Sequence, residues 1–371
     1  MRVLFTGGGT GGHIYPALTL AAALQKRNYS LLYVGTAGGL EQELVPRSGL
    51  TLRTISVSGL ERRFTYKNLV AFFRLTKGLC QAYQILREFG PQVVVGTGGY
   101  VSVPVVFIAS RLGVPTLIHE QNALPGLANR FLSRFVRMVA VTYEESRHYF
   151  PRADHLMVTG NPVREEILNL TRKEGRISLG IEEGKQLLLV FGGSRGARPI
   201  NEAMLKALPI LGEQPGLFIY FITGAKDYEY VRQRLGPGIG KENMGNIIIE
   251  PYLYDMPAGL AAADLVVARA GATTLAELTA RGIPAVLIPS PYVTGNHQEK
   301  NARLLERQGA AVVMPEKKLT GPSLAEKARE ILQNPPLLQQ MRKNSYNLGK
   351  REAREELLSL IYKLALENKG G

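Results

Sequence analysis

Short apolar runs alternate with amphipathic stretches along the first 160 residues of the chain. Strand-length apolar runs occupy residues 3–5, 31–34, 93–95, 116–118 and 138–141. Stretches with a helical spacing of apolar positions lie at about residues 16–26, 69–88, 103–112 and 127–133. Strands that alternate with helices predict a parallel sheet with helices on both faces.

The same alternation starts again after the turn sequence Gly160-Asn161-Pro162. Further strand-length runs occupy residues 187–191, 218–222, 247–250, 265–268 and 285–288. The sequence therefore predicts an α/β protein with two open parallel-sheet domains, residues 1–163 and residues 164–345. No strand follows the last helical segment, at about residues 346–371, and we expect this segment to pack back on the first domain.

Composition excludes several classes of protein. The chain has 371 residues, about the length of two domains, and 45% hydrophobic residues, too many for a disordered chain. Its one cysteine, Cys80, excludes an intrachain disulfide and is typical of a reducing compartment. No apolar run approaches the roughly 20 residues that span a bilayer, and the N-terminal run is too short for a signal peptide. These features predict a soluble, cytoplasmic protein.

Positive charge is concentrated in the first part of the chain. The net charge is +14, of which residues 1–160 contribute +9 with 17 basic and 8 acidic residues. Residues 53–87 alone contribute +6, and apolar residues at helical spacing lie among the charges. A basic amphipathic helix of this kind is typical of a surface that rests on anionic lipid. The alternatives are a core-facing helix with a solvated basic side and a nucleic-acid surface, although no RNA-binding, zinc or heptad motif accompanies it.

A glycine-rich loop at residues 7–12 satisfies the pattern G-x-G-x-x-G between a predicted strand and a predicted helix. A dinucleotide site also needs an acid at the end of the second strand, where residues 34–36 provide none and Glu41 comes too late. A P-loop is excluded because no Gly-Lys-Ser/Thr follows the glycines. The glycines still allow backbone N–H groups to approach an anion or a sugar at the helix N-terminus. His13 stands there, either as a functional group or as a capping, solvated residue.

Further polar loops follow other predicted strands. Glycine-rich loops occupy residues 96–102 and 192–198, and the sequence His-Glu-Gln-Asn at residues 119–122 is either a ligand loop or an exposed one. In the second domain Thr274 and Glu277 form either a capping box or a ribose site in which Glu277 accepts the sugar hydroxyls. Ligands of open parallel sheets bind outside the carboxyl ends of the strands. We therefore expect a ligand site at these loops, in a cleft between the two domains.

Seven blocks of sequence, in this order, resemble the GT-B glycosyltransferases, and among them the bacterial peptidoglycan enzymes that transfer N-acetylglucosamine (GlcNAc) from UDP-GlcNAc to lipid I. The blocks are residues 7–14, 96–102, 119–122, 160–164, 192–198, 269–277 and 296–301. The resemblance covers nearly the whole chain. It implies two Rossmann-like domains facing a deep cleft, and an inverting transfer of GlcNAc to the 4-hydroxyl of the muramyl sugar that yields lipid II.

The resemblance implies a site for the donor UDP-GlcNAc in residues 164–345. Its residues would be Arg164, Gly193 and Ser194 at the diphosphate, Tyr252 and Leu253 at the uracil, Thr273 and Thr274 at the phosphates, Glu277 at the ribose, and His297 and Gln298 at the sugar. The chain departs from the family at Arg195 and His297, where glutamine is usual. No D-x-D motif for a metal is present, so we expect no cofactor, and a helix N-terminus with Arg164 would stabilise the leaving UDP.

The resemblance implies a site for the acceptor lipid I in residues 1–163. Its residues would be Thr10, Gly11, Gly12, Gly98, Gly99, Gln121 and Asn122. A general base must take the proton of the acceptor hydroxyl. His13 is the first candidate, because histidine titrates near the working pH, and Glu120 is the second.

The acceptor is embedded in a membrane, so the resemblance favours the membrane interpretation of the basic window. Contact with anionic lipid is expected at Arg62, Arg63, Lys67, Leu69, Phe72 and Phe73. The protein would then work at the cytoplasmic face of the membrane, without nucleic acid and with cell-wall synthesis proteins as further partners. The alternatives are an enzyme similar to UDP-GlcNAc 2-epimerase, which needs no membrane surface, and a basic lipid- or RNA-binding protein on a Rossmann-like scaffold, which needs no UDP site.

Overall fold

The computed structural model describes residues 1–59, 66–150, 155–193, 195–235 and 246–367, with the backbone only for residues 66–72 and Thr294. The chain divides into two compact units, Met1–Pro162 with Glu352–Gly371, and Val163–Arg351. The first boundary lies one residue before the expected position. The second lies six residues after the expected position, between Arg351 and Glu352.

The first unit is built on a parallel sheet of seven strands. The strands are β1 (Arg2–Gly7), β2 (Ser30–Thr36), β3 (Thr51–Ile55), β4 (Val93–Gly98), β5 (Thr116–Glu120), β6 (Met138–Val141) and β7 (Leu156–Val158). The helices between them are α1 (Gly11–Gln25), α2 (Glu41–Arg47), α3 (Tyr66–Phe89), α4 (Ser102–Arg111) and α5 (Leu127–Leu132), with a 3-10 turn at Glu144–Tyr149. The strand order β3-β2-β1-β4-β5-β6-β7 changes direction between β1 and β4, which is where open parallel sheets bind ligands.

The second unit repeats this plan with a parallel sheet of six strands. The strands are β8 (Gln186–Phe191), β9 (Leu217–Ile222), β10 (Ile247–Glu250), β11 (Leu265–Ala268), β12 (Ala285–Leu287) and β13 (Ala311–Val313). The helices are α6 (Glu165–Asn169), α7 (Arg172–Ser178), α8 (Arg198–Gly212), α9 (Tyr228–Arg234), α10 (Met256–Ala262), α11 (Ala272–Arg281), α12 (His297–Arg307), α13 (Gly321–Leu332) and α14 (Pro335–Leu348), with 3-10 turns at Thr294–Asn296 and Glu316–Lys318. The order β10-β9-β8-β11-β12-β13 changes direction between β8 and β11.

The sheet of the first unit is buried on both faces. Side chains of a strand alternate between the two faces, and in β1 Val3 and Phe5 pack into one hydrophobic cluster while Leu4 packs into another. The first cluster includes Ile14 of α1, and the second includes Val105 of α4. A continuous apolar run such as that of β1 is therefore the signature of a covered parallel strand, as the sequence predicted.

The last helix, α15 (Ala353–Glu367), packs on the first unit. Leu357, Ile361 and Leu364 are buried at helical spacing in the same cluster as Ile14 and Leu20 of α1. Burial of each such side chain contributes roughly 1.5–3 kcal/mol relative to exposure. This apolar stripe is the physical reason that the chain returns to its first unit.

Candidate functional site

Two glycine-rich loops of the first unit contact each other at the switch point of the sheet. The Gly8 N–H donates to the Gly98 carbonyl over 3.2 Å. Gly98 and Gly99 have φ angles of 104° and 81°, in the region that favours glycine. A Cβ on Gly99 would also lie 2.4 Å from the Gly8 carbonyl oxygen. Only glycine therefore allows the loop after β4 to lie this close to the loop after β1.

His13 stands in the first turn of α1 and is fixed by this loop. Its Nδ1 lies 3.0 Å from the Gly8 carbonyl oxygen and 3.3 Å from Thr10 Oγ1. The ring lies over Gly98, where a Cβ would be 2.9 Å from the ring Cδ2 atom. Thr97 Oγ1, at the register shift between β1 and β4, donates to the His13 carbonyl over 2.6 Å. The structure thus brings together the predicted residues His13, Thr10 and Gly98, and sequence reasoning missed Thr97.

Glu41 is a fully buried carboxylate behind the first loop. Its Oε1 accepts the Thr36 N–H over 2.9 Å, and its Oε2 accepts the Gly9 N–H over 3.4 Å. A Cβ on Gly8, on Gly35 of β2 or on Gly39 would lie 2.4–2.6 Å from a Glu41 atom. Glu41 thus binds the backbone at the ends of β1 and β2 and shapes the loop that precedes His13.

The polar residues at the end of β5 are buried rather than exposed. The Glu120 carboxylate accepts four hydrogen bonds, from Asn122 N and Nδ2 over 3.0 and 3.1 Å, from Gly126 N over 3.1 Å, and from Asn129 Nδ2 over 2.9 Å. Four such bonds occupy the acceptor positions of a carboxylate. Glu120 therefore organises the loop between β5 and α5. Asn129 is a further residue of this cluster that the sequence did not reveal.

His119 is neutral and forms part of the scaffold. Burial lowers the pKa of His119 to about 4, partly offset by a hydrogen bond with the Gly160 carbonyl over 2.9 Å. The Gln121 side-chain amide donates to His119 Nδ1 over 3.1 Å and to the Thr97 carbonyl over 2.9 Å. Gln121 is thus buried in a network that connects β5 to the loop after β4, while Asn122 binds Glu120.

The glycine loop of the second unit, between β8 and α8, packs against the end of β9. Gly193 and Gly196 have φ angles of 88° and 73°. A Cβ on Gly196 would lie 2.4 Å from the Thr223 carbonyl oxygen. Asn201 of α8 donates to that same carbonyl over 2.9 Å and to Asp227 over 3.1 Å, which fixes the start of α8. Ser194, predicted to touch the diphosphate, lies outside the described residues.

Arg164 and Glu277, both predicted on the donor side, form an ion pair. Arg164 Nη2 lies 3.3 Å from Glu277 Oε1, and Glu277 is only 8% exposed. Burial raises the pKa of Glu277, while the charge of Arg164 and its hydrogen bond lower it. The carboxylate is therefore held near the start of α11 by a cation from the linker.

The capping-box interpretation of Thr274 and Glu277 is wrong. The N-cap of α11 is Gly271, and no side chain caps the helix. Thr274 instead lies inside the first turn, next to Thr273, whose Oγ1 is buried and has no hydrogen-bond partner among the described residues. Both hydroxyls thus stand at the N-terminal end of α11, which carries partial positive charge.

The predicted uracil and sugar residues lie on two other loops of the second unit. Tyr252 is half exposed, whereas Leu253 is buried against Gly259 and can offer a ligand only its backbone. His297 and Gln298 begin α12, after Asn296 in a left-handed conformation with φ of 53°. Such backbone strain in a non-glycine residue often marks a functional site. Gln298 Oε1 accepts the Ser290 N–H over 2.8 Å, so part of its hydrogen-bonding capacity holds the loop.

The predicted membrane residues are described only in part. Arg62 and Arg63 lie outside the described residues, and the side chains of Lys67, Leu69 and Phe72 are likewise not described. Phe73 is 64% exposed on α3. No helix in the described part of the chain is long and apolar enough to cross a membrane. Among the described side chains, no group of three or more His, Cys, Asp or Glu residues is arranged to hold a metal ion.

Comparison with known proteins covers both units. The model of the glycosyltransferase family 28 N-terminal domain matches residues 3–141, and that of the glycosyltransferase family 28 C-terminal domain matches residues 187–357. A protein of Desulforamulus reducens named UDP-N-acetylglucosamine–N-acetylmuramyl-(pentapeptide) pyrophosphoryl-undecaprenol N-acetylglucosamine transferase is 48% identical over 367 residues. The aligned part is 98% of this chain and 99% of that relative.

Two solved structures with a similar fold carry different names. The crystal structure of Acinetobacter baumannii MurG has a TM-score of 0.78 at 29% identity, over 98% of this chain and 99% of that one. The UDP-GlcNAc 2-epimerase of Neisseria meningitidis, solved with UDP-GlcNAc bound, has a TM-score of 0.65 at 14% identity, over 98% of this chain and 100% of that one. At such low identity the second likeness concerns the fold alone.

Proposed function

Since the chain belongs to glycosyltransferase family 28, we propose that it transfers GlcNAc from UDP-GlcNAc to the muramyl 4-hydroxyl of lipid I, the undecaprenyl-pyrophosphoryl-linked MurNAc-pentapeptide, and so produces lipid II. It is a hexosyltransferase, and its two parallel-sheet units have the predicted GT-B fold. The observation that carries the proposal is the 48% identity over 98% of the chain to a relative named for this activity. The 2-epimerase alternative has only a likeness of fold at 14% identity.

The donor is proposed to bind the second unit. The loop at Gly193 and the start of α8 offer backbone N–H groups to the diphosphate. Glu277 would accept the ribose hydroxyls, with one oxygen already bound to Arg164 over 3.3 Å. Thr273 and Thr274 add hydroxyls at the N-terminus of α11. The positive ends of these helices and Arg164 would stabilise the charge on the leaving UDP, so we propose a reaction that needs no metal or other cofactor.

His13, rather than Glu120, is proposed as the general base. If the hydrogen on Nδ1 is donated to the Gly8 carbonyl, the lone pair lies on Nε2, where it can accept the proton of the acceptor hydroxyl. The freed oxygen then forms a bond to the anomeric carbon as the bond to UDP breaks, with inversion. Glu120 already accepts four hydrogen bonds from the protein and has little capacity left for a substrate hydroxyl.

The acceptor pyrophosphate is proposed to bind at the N-terminus of α1. Thr10, Gly11 and Gly12 begin this helix, and no side chain caps it. Their backbone N–H groups at the positive end of the helix are suited to an anion. Gly98 leaves room for the His13 ring, because a Cβ there would lie 2.9 Å from it, and Gly99 lies against the backbone of Gly8, so both are proposed to shape the acceptor side of this loop.

We also propose that the first unit docks on the cytoplasmic face of the membrane. Besides Phe73 on α3, Leu127 and Phe131 on α5 are 78% and 42% exposed, and α4 packs against both helices. Arg111 of α4 lies 5.2 Å from the centre of the Phe107 ring. Exposed apolar side chains beside cations are suited to the interface of an anionic bilayer.

Vesicle sedimentation tests the docking. The chain should bind phosphatidylglycerol vesicles, and an Arg62/Arg63/Lys67 variant with three reversed charges should bind less at about 0.1 M salt. A matched control reverses Lys206, Lys317 and Lys318 of the second unit and should bind like the wild type. Equal binding by the wild type and the first variant contradicts docking through this region.

A transfer assay tests the function itself. Purified protein is incubated with radiolabelled UDP-GlcNAc and a short-chain analogue of lipid I, and the label should appear in the disaccharide-lipid product. Formation of the 2-epimer of the donor without transfer would support the epimerase alternative. No thermal stabilisation by UDP-GlcNAc, relative to NAD, would support a binding protein without a UDP site.

A further inference from the structure

A pocket of the second unit lies away from the proposed donor loops. It is formed by the C-terminal end of α11 and one face of α14, and its volume is about 520 Å³. Three cations line it, Arg281, Arg342 and Lys343, and no acidic residue does. None of its lining residues is a proposed donor residue. Thr273 and Thr274 stand at the opposite end of α11, a helix of ten residues that is about 15 Å long, and Glu277 lies one turn before Arg281. The pocket is therefore distinct from the donor site.

Arg281 is a partly buried cation with no acidic partner among the described residues. Its Nη1 donates to the Leu168 carbonyl over 3.2 Å, but its Nε is buried and has no hydrogen-bond partner in the described part of the chain. Burial lowers the pKa of Arg281. Buried charges are normally paired, and the carbonyls at the end of α11 supply only partial negative charge. An anion in the pocket would supply the missing partner.

Arg342 adds charge that the protein neutralises only in part. Its Nη2 contacts the buried carboxylate of Asp264. The same carboxylate accepts two bonds from Arg172, over 2.7 and 2.8 Å, and lies 3.7 Å from Arg176. Three guanidinium groups thus share one carboxylate, so Asp264 neutralises the charge of Arg342 only in part.

The face of α14 supplies further donors. Pro336, Gln339, Gln340 and Lys343 lie on one side of the helix at spacings of three and four residues. Lys343 is exposed and forms no ion pair within the described ranges. Cations and side-chain amides therefore line the same space.

We propose that this pocket binds a phosphate group, carried either by a soluble compound or by the headgroup of an anionic phospholipid. A phosphate offers several acceptor oxygens and up to two negative charges, which matches a pocket lined from two helices by arginine, lysine and amide groups. The volume of the pocket exceeds what one phosphate fills, so it has room for the group that carries the phosphate.

Calorimetric titration with inorganic pyrophosphate tests the proposal on the full chain, with UDP present at saturation to occupy the proposed donor site. The wild type should bind, and Lys343→Glu should weaken binding at least about tenfold, the loss expected when a charged hydrogen bond is removed. Arg281→Gln should weaken it similarly. Lys206→Glu on α8, which removes the same charge outside the pocket, should bind like the wild type.

Sedimentation with phosphatidylglycerol vesicles distinguishes the two sources of phosphate. If Lys343→Glu weakens pyrophosphate binding alone, the ligand is a soluble phosphate compound. If it weakens vesicle binding relative to Lys206→Glu, the ligand is a lipid headgroup. If Lys343→Glu and Arg281→Gln change neither measurement while their circular dichroism stays that of the wild type, the proposal is overturned.

Discussion

His13 Nδ1 lies 3.0 Å from the Gly8 carbonyl oxygen, so the loop after β1 fixes the imidazole ring of the proposed base. Removal of the ring in His13→Ala should lower kcat by roughly 10²–10⁴-fold, the usual contribution of general-base catalysis. The KM for UDP-GlcNAc should stay unchanged, because we place the donor on the other unit. Initial rates at saturating lipid I analogue measure both values. His148→Ala, which removes an exposed histidine of the same unit, should retain the wild-type rate, and near-wild-type turnover of His13→Ala would rule out this base.

Glu120→Gln should affect stability more than chemistry. The substitution replaces an acceptor oxygen with an NH₂ group that faces N–H donors, because all four hydrogen bonds of Glu120 come from donors. Loss of such buried bonds should lower the free energy of unfolding by at least about 2 kcal/mol. Urea denaturation measures the loss, and kcat per folded molecule should fall by less than tenfold. A fall as large as that of His13→Ala, without loss of stability, would instead identify Glu120 as the base.

Glu277→Gln should remove recognition of the ribose. In the wild type, calorimetry should show that 2′-deoxy-UDP binds roughly tenfold or more weakly than UDP. The reason is that the deoxy ligand lacks the 2′-hydroxyl that would donate a hydrogen bond to the Glu277 carboxylate. In Glu277→Gln both ligands should bind weakly and with similar affinity. Glu326→Gln, on α13, is the control for a lost carboxylate. A variant that still distinguishes the two ligands as the wild type does contradicts a contact between Glu277 and the ribose.

The alternation of strands and loops could be predicted because each of these elements has its own signal within a short stretch of sequence. Apolar runs such as that of β1 and the glycines after β4 are visible within a few residues of sequence. The edge strands β3, β7 and β13 were missed because they are only three to five residues long and β3 is mostly exposed. Their pairing depends on neighbouring strands rather than on a distinctive pattern of their own.

The contacts that support the site could not be predicted because they join residues that are distant in sequence. Glu41 meets Gly9 across 32 positions, and Arg164 meets Glu277 across 113. Of the two interpretations of Thr274 and Glu277, the capping box is wrong because the N-cap is Gly271, three residues before Thr274. Spacing alone does not tell which turn of a helix a residue occupies.

Glu41→Gln should weaken binding of the acceptor while leaving the donor site intact. Glu41 holds the Gly9 N–H and the end of β2, so its amide variant should shift the loop that carries Thr10 and His13. We expect the KM for the lipid I analogue to rise about tenfold, the cost of one charged hydrogen bond, with an unchanged KM for UDP-GlcNAc. Glu43→Gln, which removes an exposed carboxylate of the same helix, is the control. Equal changes in both KM values would show a general loss of structure instead.

The buried His119 should make the stability of the first unit depend on pH. Burial lowers the pKa of His119 from 6.5 to about 4, so below pH 6.5 the unfolded chain binds a proton that the folded chain does not. The contribution of His119 to the free energy of unfolding is therefore fully present above pH 6.5, and it decreases as the pH falls towards 4. Between pH 7.5 and pH 5 the free energy of unfolding should decrease by about 2 kcal/mol through His119 alone.

The non-titrating variant His119→Asn isolates this contribution. Its stability at pH 7.5 should be lower, because the hydrogen bond to Gly160 is changed. The further decrease on going to pH 5 should nevertheless be about 2 kcal/mol smaller than in the wild type, since carboxylates and the other histidines titrate in both proteins. Urea denaturation at the two pH values, followed by circular dichroism, gives the four free energies required. Equal decreases in the two proteins would mean that the pKa of His119 is not lowered in the folded state. That result would contradict the burial of a neutral ring between Gly160 and Gln121.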